Sequence, residues 1–127
     1  MQKGFIKLYH GGLSWLGEQI TCSATIRVAF HLIENSEIGT NCVRIGYGES
    51  ARIIHDLKLS RPTYFKAMKE LQDNGVIVKV YGGVYIVSPR VVWQGDEALR
   101  GVALKDFDER LDAYFDDIER VEVEAEE

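Results

Sequence analysis

The chain predicts an α+β fold, a winged helix-turn-helix with a β-hairpin wing and an appended C-terminal helix. Three observations carry that expectation. Residues 60–75 encode a helix whose start, buried face and stop are all written locally. Residues 76–87 read as a tight hairpin directly behind it, and residues 49–59 supply a short helix and turn in front of it. Helix, turn, helix and hairpin in that order make a recognition helix and its wing.

Taken along the chain, Phe5, Ile6, Lys7, Leu8 and Tyr9 predict an N-terminal strand, and residues 13–19 predict one or two turns of helix. Residues 23–34 predict a strong helix with Ile26, Ala29, Phe30 and Ile33 on one stripe. Val43, Arg44 and Ile45 predict a short strand that pairs with the wing. Residues 49–57 predict the first helix of the helix-turn-helix, with Ile53, Ile54 and Leu57 as its apolar side. The connection is Leu57-Lys58-Leu59-Ser60; such turns often carry glycine, and here Lys58 stands in that place.

The next helix is specified best. The Ser60 hydroxyl can accept a free amide of the first turn. Pro62 falls where a missing N–H costs nothing. Tyr64, Ala67, Met68 and Leu71 recur at i, i+3, i+4 and i+7 and form one buried stripe. Gly75 sits where a helix end needs a left-handed residue. In the hairpin, Gly82 and Gly83 can both take the positive φ of a two-residue turn. Pairing Tyr81 with Val84 then puts Val78, Val80, Tyr85 and Val87 on a core face and turns Lys79, Tyr81, Val84 and Ile86 outward.

Composition shifts near Gly95. Residues 1–95 hold 11 Lys+Arg and 7 Asp+Glu, a balance of +4, whereas residues 96–127 hold 4 and 13, a balance of −9. The net charge of −5 therefore hides a basic body, and duplex DNA responds to the local field. We expect residues 1–101 to be the DNA-binding domain and residues 102–127 an acidic amphipathic helix and tail, fraying after Val121. Leu104, Phe107, Leu111, Tyr114, Ile118 and Val121 are spaced 3-4-3-4-3, an apolar seam. The seam either docks on its own domain or pairs with a second copy. Asp108, Asp117, Glu122 and Glu124 would repel in a parallel pair, so an antiparallel or docked arrangement is expected. A homodimer is the favoured assembly, because duplex targets are commonly read as two half-sites.

With 127 residues and 46% hydrophobic content, one domain with a real core is expected. No apolar run approaches the roughly 20 residues that span a bilayer, and the N-terminus has no charged-then-apolar signal segment. Cys22 and Cys42 are not in a CxxC arrangement and read as buried thiols, so no membrane partner and a cytoplasmic location are expected.

Catalytic chemistry finds little support. His10, His31 and His55 form no His-x-His pair, and a tyrosine nucleophile without a metal ligand set is not a nuclease signal. Cys22, His31, Cys42 and His55 match no zinc-ligand spacing. No phosphate-binding Gly-x-x-x-x-Gly-Lys motif is present. No metal, no cofactor and no enzymatic activity are expected.

The candidate site is instead a binding face. With the Tyr64 stripe turned inward, Arg61, Pro62, Phe65, Lys66, Lys69 and Gln72 occupy the open arc, with Ser60 and Thr63 at its start. Arg61 and Lys66 can reach guanine edges or phosphates, and Lys69 belongs to the same basic face. Thr63 can bond a phosphate at the helix N-terminus. Phe65 has two readings of equal standing: contact with a thymine methyl, or packing against the N-terminal strand or the preceding helix. Lys79, the only cation of the wing, is expected to touch the DNA backbone.

With these pieces placed, the sequence resembles the RepL family of plasmid replication-initiation proteins. Three stretches carry the resemblance. The first is Phe5-Ile6-Lys7-Leu8-Tyr9 followed by the helix at 26–33. The second, residues 57–71, is generic to winged helices. The third, Val84-Tyr85-Ile86-Val87-Ser88-Pro89-Arg90-Val91-Val92-Trp93-Gln94-Gly95-Asp96, is more particular: it resembles a wing return strand running into Asn-Pro, an aromatic and Lys-Gly-Asp, with Ser88 and Gln94 as departures. The similarity covers roughly residues 5–100. It implies a winged helix that binds its replicon's origin or control region, without an enzymatic site. The function expected is sequence-specific binding of double-stranded DNA in plasmid or phage replication initiation and copy control, with host replication proteins as candidate further partners. A winged-helix transcriptional repressor is one alternative. A protein-interaction winged helix without DNA binding is another, and the acidic tail favours it.

Overall fold

The structure, a computed structural model, describes residues 7–8, 22–93 and 95–126, with the backbone path alone at 7, 8, 47 and 121–126. In chain order the elements are β1 (Lys7–Leu8), α1 (Ser23–Glu34), β2 (Cys42–Arg44), α2 (Tyr47–Asp56), α3 (Arg61–Asp73), β3 (Ile77–Tyr81), β4 (Val84–Val87), β5 (Val92–Trp93) and α4 (Glu97–Glu126). The fold is α+β, and α3, its glycine stop and the hairpin follow one another as in a winged helix-turn-helix. A three-stranded antiparallel sheet has the order β2-β4-β3, and β1 pairs antiparallel with β5. The expected helix at 13–19 lies outside the described residues, as do Phe5, Ile6 and Tyr9 of the expected N-terminal strand.

Helix α3 forms where its local signals put it. The Ser60 hydroxyl accepts the Thr63 amide at 3.2 Å, and Pro62 occupies the first turn. Tyr64, Ala67, Met68 and Leu71 are all buried. Gly75, at φ 71°, ends the helix and turns the chain into β3. Lys58 takes the left-handed φ of 55° that glycine would adopt more cheaply at this turn.

Helix α1 packs on α3, but it is rotated from the expected stripe. Thr25, Val28, Ala29, Leu32 and Ile33 are buried, while Phe30 is 44% exposed. Val28 and Leu32 fill the core in place of Phe30, and the Thr25 hydroxyl at the same face donates to the Glu70 carboxylate of α3 at 2.9 Å. Nearby, an Arg27 N–H donates to the Leu57 carbonyl at 2.5 Å and satisfies a group at the end of α2.

The hairpin pairs Tyr81 with Val84 as expected, but a bulge between Lys79 and Tyr81 shifts the rest of the register. Val78 faces Ile86 and Ile77 faces Val87 across the strands. The extra residue corrects the expected face division. Ile77, Val87 and Tyr85 join the main core under α1 and α3, whereas Val78, Val80 and Ile86 line the opposite face. Ile86 is thus buried rather than outward. Among the two turn glycines only Gly82 has a positive φ, of 45°. Gly83 is needed for proximity instead: a Cβ there would collide with the Ile45 carbonyl, and the Ile45 amide donates to the Gly83 carbonyl at 2.5 Å.

The second sheet face is covered by α4. The helix starts at Glu97, behind Asp96, whose carboxylate accepts the Ala98 amide at 2.9 Å. It continues to Glu126, past the fraying point the sequence suggests. Phe107 is 1% exposed against Val78 and Ile86, with Leu111 beside it. Arg90 grips Asp108 through two N–H groups at 2.5 and 2.7 Å, and the Tyr114 hydroxyl donates to Asp73 at 2.7 Å. The apolar seam therefore docks on its own domain over its first half. Buried Asn41 completes the frame, its side-chain amide donating to the Val87 and Val92 carbonyls at 3.0 and 2.8 Å.

Candidate nucleic-acid interface

The outer face of α3 is built from the residues left over when its stripe is buried. Arg61, Pro62, Phe65, Lys66 and Lys69 are exposed along it. Phe65 is 50% exposed. Its ring meets Tyr64 edge-on at 5.1 Å between centroids, and the Arg61 guanidinium lies over it at 5.5 Å. A cation over an aromatic face is held in place without being neutralised, so Arg61 keeps its charge for an anion outside.

Ser60 and Thr63 sit at the N-terminus of α3, where free amides and the helix dipole favour an anion. Their side chains already bond each other: the Ser60 hydroxyl donates to Thr63 Oγ1 at 2.7 Å while accepting the Thr63 amide. Capping is thus their first role. Lys69 is exposed but ion-paired with Asp73 at 2.7 Å, an i,i+4 pair that the sequence reading passed over. Burial pushes the Asp73 carboxyl up, yet the hydrogen bonds from Lys69 and Tyr114 outweigh it and leave the group below its ordinary value. Lys79 is exposed on β3, one strand position from the bulge.

The structure brings Arg61 and Phe65 together at the N-terminal end of α3 beside the wing-turn glycines, and Lys66 is exposed further round the same helix. Tyr81 at that turn is 64% exposed, a wing residue that hydropathy alone assigned no role. Between α3 and the turn lies a recess lined by Ser50, Arg61, Tyr64, Phe65, Gly83 and Tyr85, among others. Burial raises the hydroxyl pKa of both Tyr64 and Tyr85, so both stay protonated donors. The acidic helix contacts the far end of α3, at Asp73, about 18 Å along the helix from Arg61 at 1.5 Å per residue.

Among the described residues, no three His, Cys, Asp or Glu side chains come together as a metal-binding group, and no helix is long and apolar enough to cross a membrane. Cys22 is exposed and Cys42 half-buried, which corrects the expectation of two buried thiols.

The third stretch of the family resemblance proves to be a structural joint. Ser88 is buried and donates its amide to the Val76 carbonyl at 2.8 Å. Trp93 is buried, and its indole N–H donates to the Asp96 carbonyl at 3.0 Å. Together they turn the wing strand into β5 and launch α4.

No curated protein and no solved structure matches the chain. The family described as Firmicute plasmid replication protein (RepL) matches over residues 3–123, which takes in most of α4 as well as the body. The chain belongs to the RepL family of Firmicute plasmid replication proteins, and its role lies in plasmid replication.

Proposed function

We propose that the protein binds duplex DNA sequence-specifically at its plasmid's origin or control region, through the outer face of α3, and acts by binding rather than by covalent chemistry. The observation that supports this most is the exposed Arg61, set with Phe65 beside the turn of a β-hairpin wing, with Lys66 exposed on the same helix. Arg61 reads a base or phosphate near the helix start, Phe65 offers an apolar contact, and Lys66 takes a phosphate. Ser60, Pro62 and Thr63 shape the N-terminal turn for an anion. Lys69 contributes a weaker cation because Asp73 shares its charge. Lys79 and Tyr81 support from the wing. Residues 1–101 carry this activity, in the cytoplasm, with host replication proteins as further partners.

Docking of α4 narrows the assembly. Phe107, Leu111 and Tyr114 are used by the domain itself, which leaves Phe115 and Ile118 on the distal half for a second copy. We propose a homodimer through that distal half, presenting two α3 helices to two half-sites. Selection of bound sequences from a random duplex pool tests the DNA function: an enriched motif supports it. No enrichment, together with no gel shift on random duplex at low salt, contradicts it. Light scattering tests the assembly, and a monomeric mass at micromolar concentration ends the dimer.

A further inference from the structure

The recess between α3 and the wing turn has a volume of about 330 Å³. That size lies at the small end of ligand pockets. Its walls are aromatic and apolar: Tyr64, Phe65, Met68 and Tyr85. Gly82 and Gly83 form another side with no side chain to fill it. Within the lining, the Ser50 and Tyr64 hydroxyls bond each other at 3.3 Å, and either can be the donor. The pair offers one donor and one acceptor to whatever enters. Arg61, also a lining residue, holds its guanidinium over the Phe65 ring.

We propose that this recess receives a single unstacked nucleobase from the bound DNA. The inference rests on the DNA-binding reading above and extends it. A flat ring with a hydrogen-bonding edge fits aromatic walls that also carry a hydroxyl pair. The Arg61 guanidinium supplies a cation where the phosphate of the displaced nucleotide passes. The recess is bounded by α3 and the wing turn, the two elements assigned to DNA, so its occupant arrives with the duplex. Such a site favours strand separation, because it stabilises the unpaired state and leaves the paired one unaffected. Unstacking costs least for a base that has no partner, so the site gives the protein a preference for locally opened duplex.

The test uses the intact protein and the duplex recovered by selection. Anisotropy titrations compare the fully paired duplex with the same duplex carrying one unpaired thymine at successive positions. One position should bind about fivefold to 150-fold more tightly, the range that stacking a single base on an aromatic ring supports. Ser50→Leu fills the recess and should erase that preference while leaving affinity for the paired duplex within about twofold, since Ser50 lies off the α3 contact face. If that variant fails to fold, 5-iodouracil at the preferred unpaired position decides on the wild-type protein. Its photocrosslink should map to Tyr64, Phe65 or Tyr85. Tight binding of paired duplex with no preference for any unpaired position overturns the recess proposal and leaves the DNA function standing. So does a preference that survives in folded Ser50→Leu, or a crosslink mapped only outside the recess. Binding to neither duplex overturns both.

Discussion

Replacing Phe107 with alanine tests whether α4 belongs to the folded domain. Phe107 is 1% exposed, wedged on Val78 and Ile86, with Cys42, Val80 and Leu111 half-buried around it. Core Phe→Ala changes cost about 3–5 kcal/mol, more where the cavity cannot collapse. This cluster is small and lies beside a helix that can shift, so the low end applies, about 3 kcal/mol. At roughly 2.1 cal/mol/K per residue, a chain of this length has an unfolding entropy near 0.27 kcal/mol/K, and the melting temperature should fall by about 11 °C. Circular dichroism follows the melt, with tryptophan fluorescence as a second probe, because Trp93 anchors the root of α4 through Asp96. Val102→Ala is the internal control: Val102 is 68% exposed on the same helix and should cost no more than about 0.5 kcal/mol. A loss below about 1 kcal/mol for Phe107→Ala, or equal losses for the two variants, would refute the docking of α4 on the wing sheet.

Three further outcomes are expected. Lys58→Gly should raise stability by about 0.5–1 kcal/mol in urea melts, since φ 55° strains any residue with a Cβ. Gly75→Ala should cost about 1–2 kcal/mol, from its φ of 71° and from a new Cβ placed 3.1 Å from Leu111 Cδ2. The third outcome concerns pH. The Arg90 hydrogen bond holds the Asp108 carboxyl below its ordinary value of 3.8, so this stabilisation is present above that value and is lost as pH falls through the lower folded one. Burial and the Asp73 carboxylate raise Tyr114 above its ordinary 10.0, so its contribution is present below pH 10.0 and is lost as pH rises through the higher folded value. Melting temperature should therefore decline at both extremes, and Asp108→Asn should flatten the acid limb.

Helix α3 was legible because everything that makes it is local: a capping serine, a proline in the first turn, a four-residue stripe and a glycine stop. The rotation of α1 was not, because Val28, Ala29, Leu32 and Ile33 compete with the stripe of Ile26 and Phe30 at the same helical spacing, and the Thr25–Glu70 hydrogen bond that accompanies the observed face crosses 45 positions of sequence. The wing register was half legible. Gly82-Gly83 marks the turn, but a bulge at Val80 changes which side chains share a face, and both faces are apolar enough to be buried. The seam of α4 was visible as spacing. Whether it met its own sheet or another copy depended on Arg90 and Asp73 being placed opposite Asp108 and Tyr114. On the candidate site, exposure of Arg61, Phe65 and Lys66 followed from the buried stripe. The partial neutralisation of Lys69 was readable too, since Asp73 stands four residues on.

The central claim is that the N-terminal half of α3 holds duplex DNA. The measurement closest to it is affinity for the selected duplex across a salt series, for the wild type and for the double variant Arg61→Glu with Lys66→Glu. Each phosphate neutralised adds about 0.9 to the log–log salt slope. The double variant should therefore lose nearly two units of slope and at least about tenfold in affinity at physiological salt, with its melting temperature unchanged because both side chains are exposed. Undiminished binding with an unaltered slope would contradict the assignment of α3 as the DNA-contacting helix.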